Sequence, residues 1–541
     1  MDMILTNCEI ATMNKVNSFV EAIAIKDRKI FKIGTNEDVI QFKEAGTQVI
    51  DLGGRLVLPG FNDSHMHLLM YSYNLQNVNL VGAESIDEII ERGRSYIEER
   101  NAPKGKWIIG LGWNQDYFKG QKMFPTRYDL DKISTEHPIV FIRACYHVMV
   151  VNSKALEIAG VTKDTPQIEG GYFDLDERGE PLGIFREKAQ TLVNKCIPEP
   201  TAEEIKKMLK DGMKKANKCG ITSIHTDDFE SFASKDYEKI IKLYEELREE
   251  GSMTVRIYEQ CLLPNIERLT GFLKKGYKTG YGDEFFKIGP LKLLADGSLG
   301  ARTAALTKPY IDDPSTKGIA IFKQEELDDI VEKAHNSGMQ IAIHGIGDKA
   351  MYMAFEAIEK AINKNPRDNH RHGIVHCQIT DEILINKFKE LDAIAYIQPI
   401  FADYDWHIVE DRVGVDLAKT SYNWKTFVEK GVHVACGSDC PVEDFDVLNG
   451  IYVAVTRKDL KGEPEGGWLP DQKLTVEEAI YGFTMGGAYA SFEEGIKGSI
   501  EEGKLADMVI LSRNLFEIPE DEIKDIKVEM TIFDGQIVYM K

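Results

Sequence analysis

The chain has little of what would hold it in a membrane, in an oxidising compartment or on a nucleic acid. No apolar run in its 541 residues reaches the ~18 residues that span a bilayer. The opening MDMILTNCEIATMNK lacks a basic stretch followed by a long apolar core, so no secretory signal is expected. Eight cysteines are scattered along the chain; only Cys436 and Cys440 lie close together, and no CxxC pair occurs. This spacing argues against a disulfide framework and against a thiolate zinc site, and points to reduced thiols in the cytoplasm. Basic residues are outnumbered, 66 Lys and Arg against 88 Asp and Glu, for a formal net charge of -22. A chain so acidic offers no basic stripe, so neither nucleic acid nor membrane is expected as a partner.

What is present reads as a large α/β protein. The hydrophobic fraction of 43% is ordinary for a globular chain, and one α/β barrel of ~250 residues or more with appendages fits the length. The first ~60 residues alternate in short strands broken by glycine turns (MILTNCEIATM, EAIAIKDRKIFKIG, TQVIDLGGRLVLPG). KLADMVILS and VEMTIFDGQIVYMK repeat that style at the other end, the second with a DG hairpin signal. The expectation is one composite β-sandwich domain from residues 1–60 and 498–541. Between them, residues 61–497, apolar strand runs alternate with amphipathic helices such as EELDDIVEKAHNSG, the texture of βα units. Eight barrel strands are expected: VLPGFNDSHMH, GITSIHTD, VRIYEQCL, GPLKLLADGS, MQIAIHGIGD, HGIVHCQ, AIAYIQP and VHVACGSDCP. Eight closes a (β/α)8 TIM-like barrel. The stretch between the first two is too long for a βα loop. It holds its own strand-like PIVFIRACYHVMVV and GIFREKA, so about 85–200 is expected to form an inserted subdomain over the barrel mouth.

Five of the eight strands carry a residue that can bind a metal, four of them at the strand end. His65 and His67 stand two apart, so the strand period puts both imidazoles on one face. His344 ends the fifth strand, His376 the sixth and Asp439 the eighth. In a barrel of this kind such strand ends converge on the active-site mouth. Lys292 lies mid-strand between leucines, where an ammonium would be costly to bury. A neutral lysine amine adds CO2 to give a carbamate, an anion able to bridge two cations, and Asp296 shares its strand face. Imidazole and carboxylate donors without thiolate suit zinc, and also iron, manganese or cobalt. One or two divalent ions are therefore expected at His65, His67, Lys292, His344, His376 and Asp439.

The motifs LPGFNDSHMH, VNSKAL, LKLLADGSLGARTAAL, IAIHGIGDKA, RHGIVHCQ, CGSDCPV and GSIEEGKLADMVIL resemble the amidohydrolase superfamily. Within it the chain is similar over nearly its whole length to the amidohydrolase 3 family, which includes N-substituted formamide deformylases. The resemblance implies a barrel with a composite β-sandwich, a metal centre on the six residues named above, and Lys292 as a carbamate. One local departure is CYH around His147, where the family pattern has an acidic or small residue and a glycine before the histidine; it bears on the shape of the substrate pocket.

The expected activity is hydrolysis of a carbon–nitrogen amide bond in a small molecule, such as an N-substituted formamide or N-acyl compound. Asp439 would ligate metal, orient water, take its proton and deliver it to the leaving amine. The residues alone equally allow ester, lactone or cyclic-amide hydrolysis, and two other readings keep the barrel: a catalytically silent metal-binding regulator, and a metal-dependent isomerase or decarboxylase. Further substrate-binding candidates are Trp113 in GLGWNQ, His147 and Glu187 in the insertion, and His225 at the end of the second strand. Asp348 and Arg371, neighbours of the metal histidines, are expected to fix ring orientation. A homodimer is expected from the frequency of twofold assemblies.

Overall fold

A computed structural model describes residues 1–14 and 19–541. All eight expected barrel strands form, in one parallel sheet whose order follows the chain. They are β1 (Phe61–Met66), β2 (Ile221–Thr226), β3 (Arg256–Leu262), β4 (Phe286–Leu294), β5 (Ile341–Gly345), β6 (Gly373–His376), β7 (Ile394–Ile397) and β8 (Val434–Cys436). Their near-continuous burial explains why they read as apolar runs rather than strict alternations: helices cover one face and the barrel interior fills the other. The seam between last and first strands closes just past β8, where Asp439 N donates to His65 O and His67 N to Cys440 O, each at 2.7 Å. That approach needs a glycine, since a Cβ on Gly437 would lie 2.6 Å from His65 N. Asp63 fastens the seam further. Its carboxylate accepts from His65 N at 3.2 Å, Ser438 N at 3.0 Å and Ser438 Oγ at 2.5 Å.

Strands from both chain ends share one sheet, in which Gln48–Pro59 pairs parallel with Met3–Ala11 and antiparallel with Met508–Leu511. Leu5, Ile10, Ile23 and Ile25 from the first end pack in one core with Met508, Ile510, Met530 and Ile532 from the last. The hairpin read from FDGQ is present: Phe533 pairs with Gln536, and Asp534 and Gly535 take φ of 53° and 75°, the positive pair that a two-residue turn of this hand requires. This sheet meets the N-terminal ends of the barrel strands. Arg256, at the start of β3 and almost fully buried, reaches Asp507 at 2.6 and 3.0 Å and Asp534 at 2.9 Å.

By packing, the chain divides into two compact units, Met1–Met70 with Leu209–Lys541, and Tyr71–Met208. The second unit is wider than the 85–200 stretch expected. It holds a six-stranded sheet with Pro181–Glu187, Val148–Val151, Ile139–Arg143 and Ile108–Trp113 at its centre. Both faces of that sheet are covered. Leu80, Ile89, Trp113, Leu130 and Phe141 form one core, and Val140, Met149, Leu156, Phe173 and Phe185 the other.

Candidate metal centre

The four histidines predicted from the strand ends converge at the C-terminal side of the barrel, and each has one ring nitrogen held by the protein. His65 Nδ1 lies 2.7 Å from Gln260 Oε1 on β3, and Gln260 is itself fixed by donating to Ser64 O at 3.1 Å. His67 Nδ1 is hydrogen-bonded to Asp227 Oδ1, just past β2. His376 Nδ1 lies 2.9 Å from Gln398 Oε1, just past β7. His344 is held the other way round, its Nε2 lying 3.0 Å from Gly297 O and 3.3 Å from Asp296 Oδ1. An acceptor on one nitrogen fixes the proton there and leaves the lone pair on the other, the state in which imidazole binds a metal. The remaining nitrogens of His65 and His67 point at Asp439, whose Oδ1 lies 3.2 Å from His65 Nε2 and 3.0 Å from His67 Nε2. Lys292 Nζ is 3.3 Å from His65 Nε2 and 3.7 Å from Asp227 Oδ2. The ring of His376 lies 4.4 Å from that of His344 and 5.5 Å from that of His65.

Two overlapping triads have ligand atoms within 4.8 Å of one another: His65, His376 and Asp439, and His65, His67 and Asp227. The donor set is imidazole and carboxylate, almost wholly buried, which fits a divalent cation of borderline softness. The electrostatics differ from ring to ring. Burial pushes His65 and His376 below the ordinary imidazole range, favouring the neutral rings that coordinate. Burial lowers His67 too, but Asp227 and Asp439 outweigh it and raise that ring well above the ordinary imidazole range. For Asp439 burial opposes ionisation, but the nearby imidazoles of His65, His67 and His376 outweigh it and hold the carboxyl well below its usual range. Burial also lowers Lys292, with Asp227 and Asp439 pulling the other way.

Sequence reasoning missed Asp227, Gln260, Gln398 and Asp63. Asp227 had a signal: it stands two residues beyond His225, on the same strand face. The two glutamines carry no charge to betray them. Their role appears only when β3 is set against β1 and β7 against β6.

Four expected site residues, His225, Arg371, Asp348 and Trp113, do other work. His225 is not at the mouth. It is wholly buried inside the barrel, with its ring 5.0 Å from that of Tyr258, because β2 runs on to Thr226 and carries Asp227 to the rim instead. Arg371 does not orient a metal histidine. It precedes β6, so it sits at the opposite end of the barrel, paired with Glu494 at 2.7 and 2.9 Å and lying over the Tyr489 ring at 3.9 Å. Asp348 opens the helix Asp348–Lys364 and accepts from Thr307 N at 2.9 Å and from its hydroxyl. Asp296 holds the loop beside His344, accepting from Ile346 N at 3.1 Å and from Gly347 N and Ala305 N at 2.8 Å. Trp113 belongs to the core of the insertion, fully buried, with Nε1 donating to Phe141 O at 3.0 Å. His147 and Glu187 do come together, Nδ1 to Oε2 at 2.9 Å, as an exposed pair on the insertion.

Comparisons with known proteins give the same outline. The amidohydrolase family model matches residues 48–539. The YtcJ amidohydrolase of Bacillus subtilis (strain 168) is 35% identical over 534 residues, 98% of each chain. An N-substituted formamide deformylase of Arthrobacter pascens is 25% identical, covering 99% of this chain and 98% of its own. A solved structure of an uncharacterized metal-dependent hydrolase from Pyrococcus horikoshii OT3 superimposes with a TM-score of 0.78 at 31% identity, over 96% of this chain and 99% of that one.

Proposed function

The chain belongs to the amidohydrolase family, and from that premise we propose that it hydrolyses a carbon–nitrogen amide bond of a small molecule, with an N-substituted formamide or other N-acyl amine as substrate. The likeness to the deformylase supports the substrate class. One observation carries the reading. His65, His67, His344 and His376 meet Lys292 and Asp439 at the C-terminal end of the barrel, each imidazole with one nitrogen already held.

One or two divalent ions, zinc on the donor chemistry, would be held by these six residues. When bound, such an ion supplies a Lewis acid and acidifies water to a pKa of ~7. Asp439 does the proton work. Its carboxylate takes a proton from the attacking water as the water oxygen bonds to the carbonyl carbon. The same proton then passes to the nitrogen as the C–N bond breaks, leaving an acid and an amine. At neutral pH the carboxylate is ionised, so it can accept a proton. Gln260, Asp227 and Gln398 keep the rings from rotating. Lys292 would join as a carbamate: its neutral amine adds CO2 and releases one proton, leaving an anion beside the cation site.

The test is amine release from a panel of N-formyl, N-acetyl and longer N-acyl amines by metal-loaded protein. Turnover of N-formyl amines is the expected result. Asp439→Asn should lower kcat by about 10²- to 10⁴-fold, the usual contribution of a general base. No amine from any compound at full metal loading would reject the proposal.

A further inference from the structure

A second cavity, of about 370 Å³, lies at the end of the barrel opposite the metal centre. Lys287 near the start of β4, Gln340 just before β5, and Arg367 and Asn369 on the loop before β6 line it. The same three strands carry Lys292, His344 and His376 farther along. From Gln340 to His344 the extended chain covers about 13 Å, so a ligand held here stands away from the metal centre.

Two cations line the cavity, and only one of them is matched. Lys287 is paired with Glu493 at 2.5 Å. Arg367 is half-buried and, among the described residues, makes no ion pair. Its guanidinium donates to two carbonyl oxygens, His335 O at 2.9 Å and Met339 O at 2.8 Å. Burial lowers its pKa, and no carboxylate acts to raise it. Those two contacts leave donors of its N–H fork to spare. Close by, Arg371 Nε donates to Asn369 Oδ1 at 2.7 Å, which fixes the amide and leaves its NH2 as a free donor. The one acid among the lining residues, Asp368, is exposed, where solvent screens it.

Phe492 adds an apolar wall at a cost to the backbone. It follows the helix Gly487–Ala490, whose end is closed by Phe492 N donating to Tyr489 O at 3.0 Å and Glu493 N to Ala488 O at 2.8 Å. That closure holds Phe492 at φ 59°, in the position that glycine ordinarily fills. A bulky residue there costs about 1–2 kcal/mol. Arg371 lies over one face of the ring at 4.4 Å, yet the residue stays 37% exposed beside the cavity. Volume and lining suit a ring-sized ligand.

We propose that this cavity binds an aromatic monocarboxylate, with the carboxylate on Arg367 and the Asn369 amide and the ring against Phe492. One unmatched guanidinium calls for one negative charge, and its planar fork fits a carboxylate by charge-assisted hydrogen bonds. The ligand is bound and not turned over, so the site stands whether or not the metal centre is a hydrolase.

The experiment measures equilibrium binding of benzoate, benzyl alcohol and acetate to the full chain by titration calorimetry. Benzoate should bind about tenfold or more tightly than benzyl alcohol, which lacks the charge, and than acetate, which lacks the ring. Arg367→Gln should weaken benzoate about tenfold or more. Phe492→Gly puts glycine where the backbone favours it, so it should fold; it should weaken benzoate about threefold or more and leave acetate unchanged. Carboxylate binding at the metal centre would be unmoved by either variant, because both positions lie at the other end of the barrel. Benzoate bound no more tightly than benzyl alcohol or acetate, no benzoate binding, or a benzoate constant unchanged in either folded variant would overturn the proposal.

Discussion

At the scale of single residues, the centre depends as much on what holds the rings as on the rings. Gln260 and Gln398 each present a carbonyl oxygen to a histidine Nδ1, at 2.7 and 2.9 Å. Partners of this kind fix the tautomer and orientation of a metal-binding imidazole, and their loss costs about 10–100-fold in metal affinity. Gln260→Leu and Gln398→Leu should each show that loss in competition with a chromogenic chelator, with the fold retained by circular dichroism. Wild-type affinity in both would mean that the rings are held by packing alone. Lys292→Ala should lose metal and activity together, and short carboxylates such as acetate should restore part of both by occupying the vacated space. The same variant with full metal content would remove the lysine from the centre.

At the scale of elements, β1 and β8 bring the centre together, and Asp63 locks them. Its three accepted hydrogen bonds tie His65 on β1 to Ser438 beyond β8. Asp63→Ala leaves buried donors unpaired and should cost about 3 kcal/mol of stability, read as a lower denaturant midpoint; an unchanged midpoint would show that the seam closes without it. Element by element, legibility followed the strand period. His65 and His67 were readable because two residues on one strand share a face whatever the rest does. Lys292 was readable because a charge set between leucines on a barrel strand is costly unless a neighbouring group or a chemical change neutralises it. His344, His376 and Asp439 were readable because each closes an apolar run. His225 was misplaced because two residues at a strand end separate the rim from the interior, and Arg371 because closeness to His376 in sequence spans the whole strand, from one barrel end to the other. Asp227, Gln260 and Gln398 depend on which strands stand side by side, and a linear pattern does not carry that.

At the scale of the whole molecule, a buried charge network lies at the barrel end opposite the centre. Glu493 is almost fully buried between Lys497 at 2.8 Å and Lys287 at 2.5 Å. Burial raises its pKa, but the two lysines outweigh that and bring it from 4.5 to about 2. A carboxyl depressed on folding contributes stability that is complete above its unfolded pKa and is lost as pH falls through the folded one. Stability should therefore decline between about pH 4.5 and 2, and Glu493→Gln should be less stable at pH 7 and show a shallower decline; parallel curves for variant and wild type would contradict this. Arg256 ties the same end to the terminal sheet through Asp507 and Asp534. Arg256→Ala strands the buried Asp507 carboxylate, while Asp534 keeps Arg28 at 2.5 Å, and should cost about 3 kcal/mol, seen as a fall in Tm. The central claim, that the buried histidines and their partners form a metal centre, is tested most directly by elemental analysis of the purified chain beside His65→Ala/His67→Ala. One or two divalent ions per wild-type chain are expected, with loss of the tighter one in the folded double variant; equal metal content in the two proteins would contradict the claim.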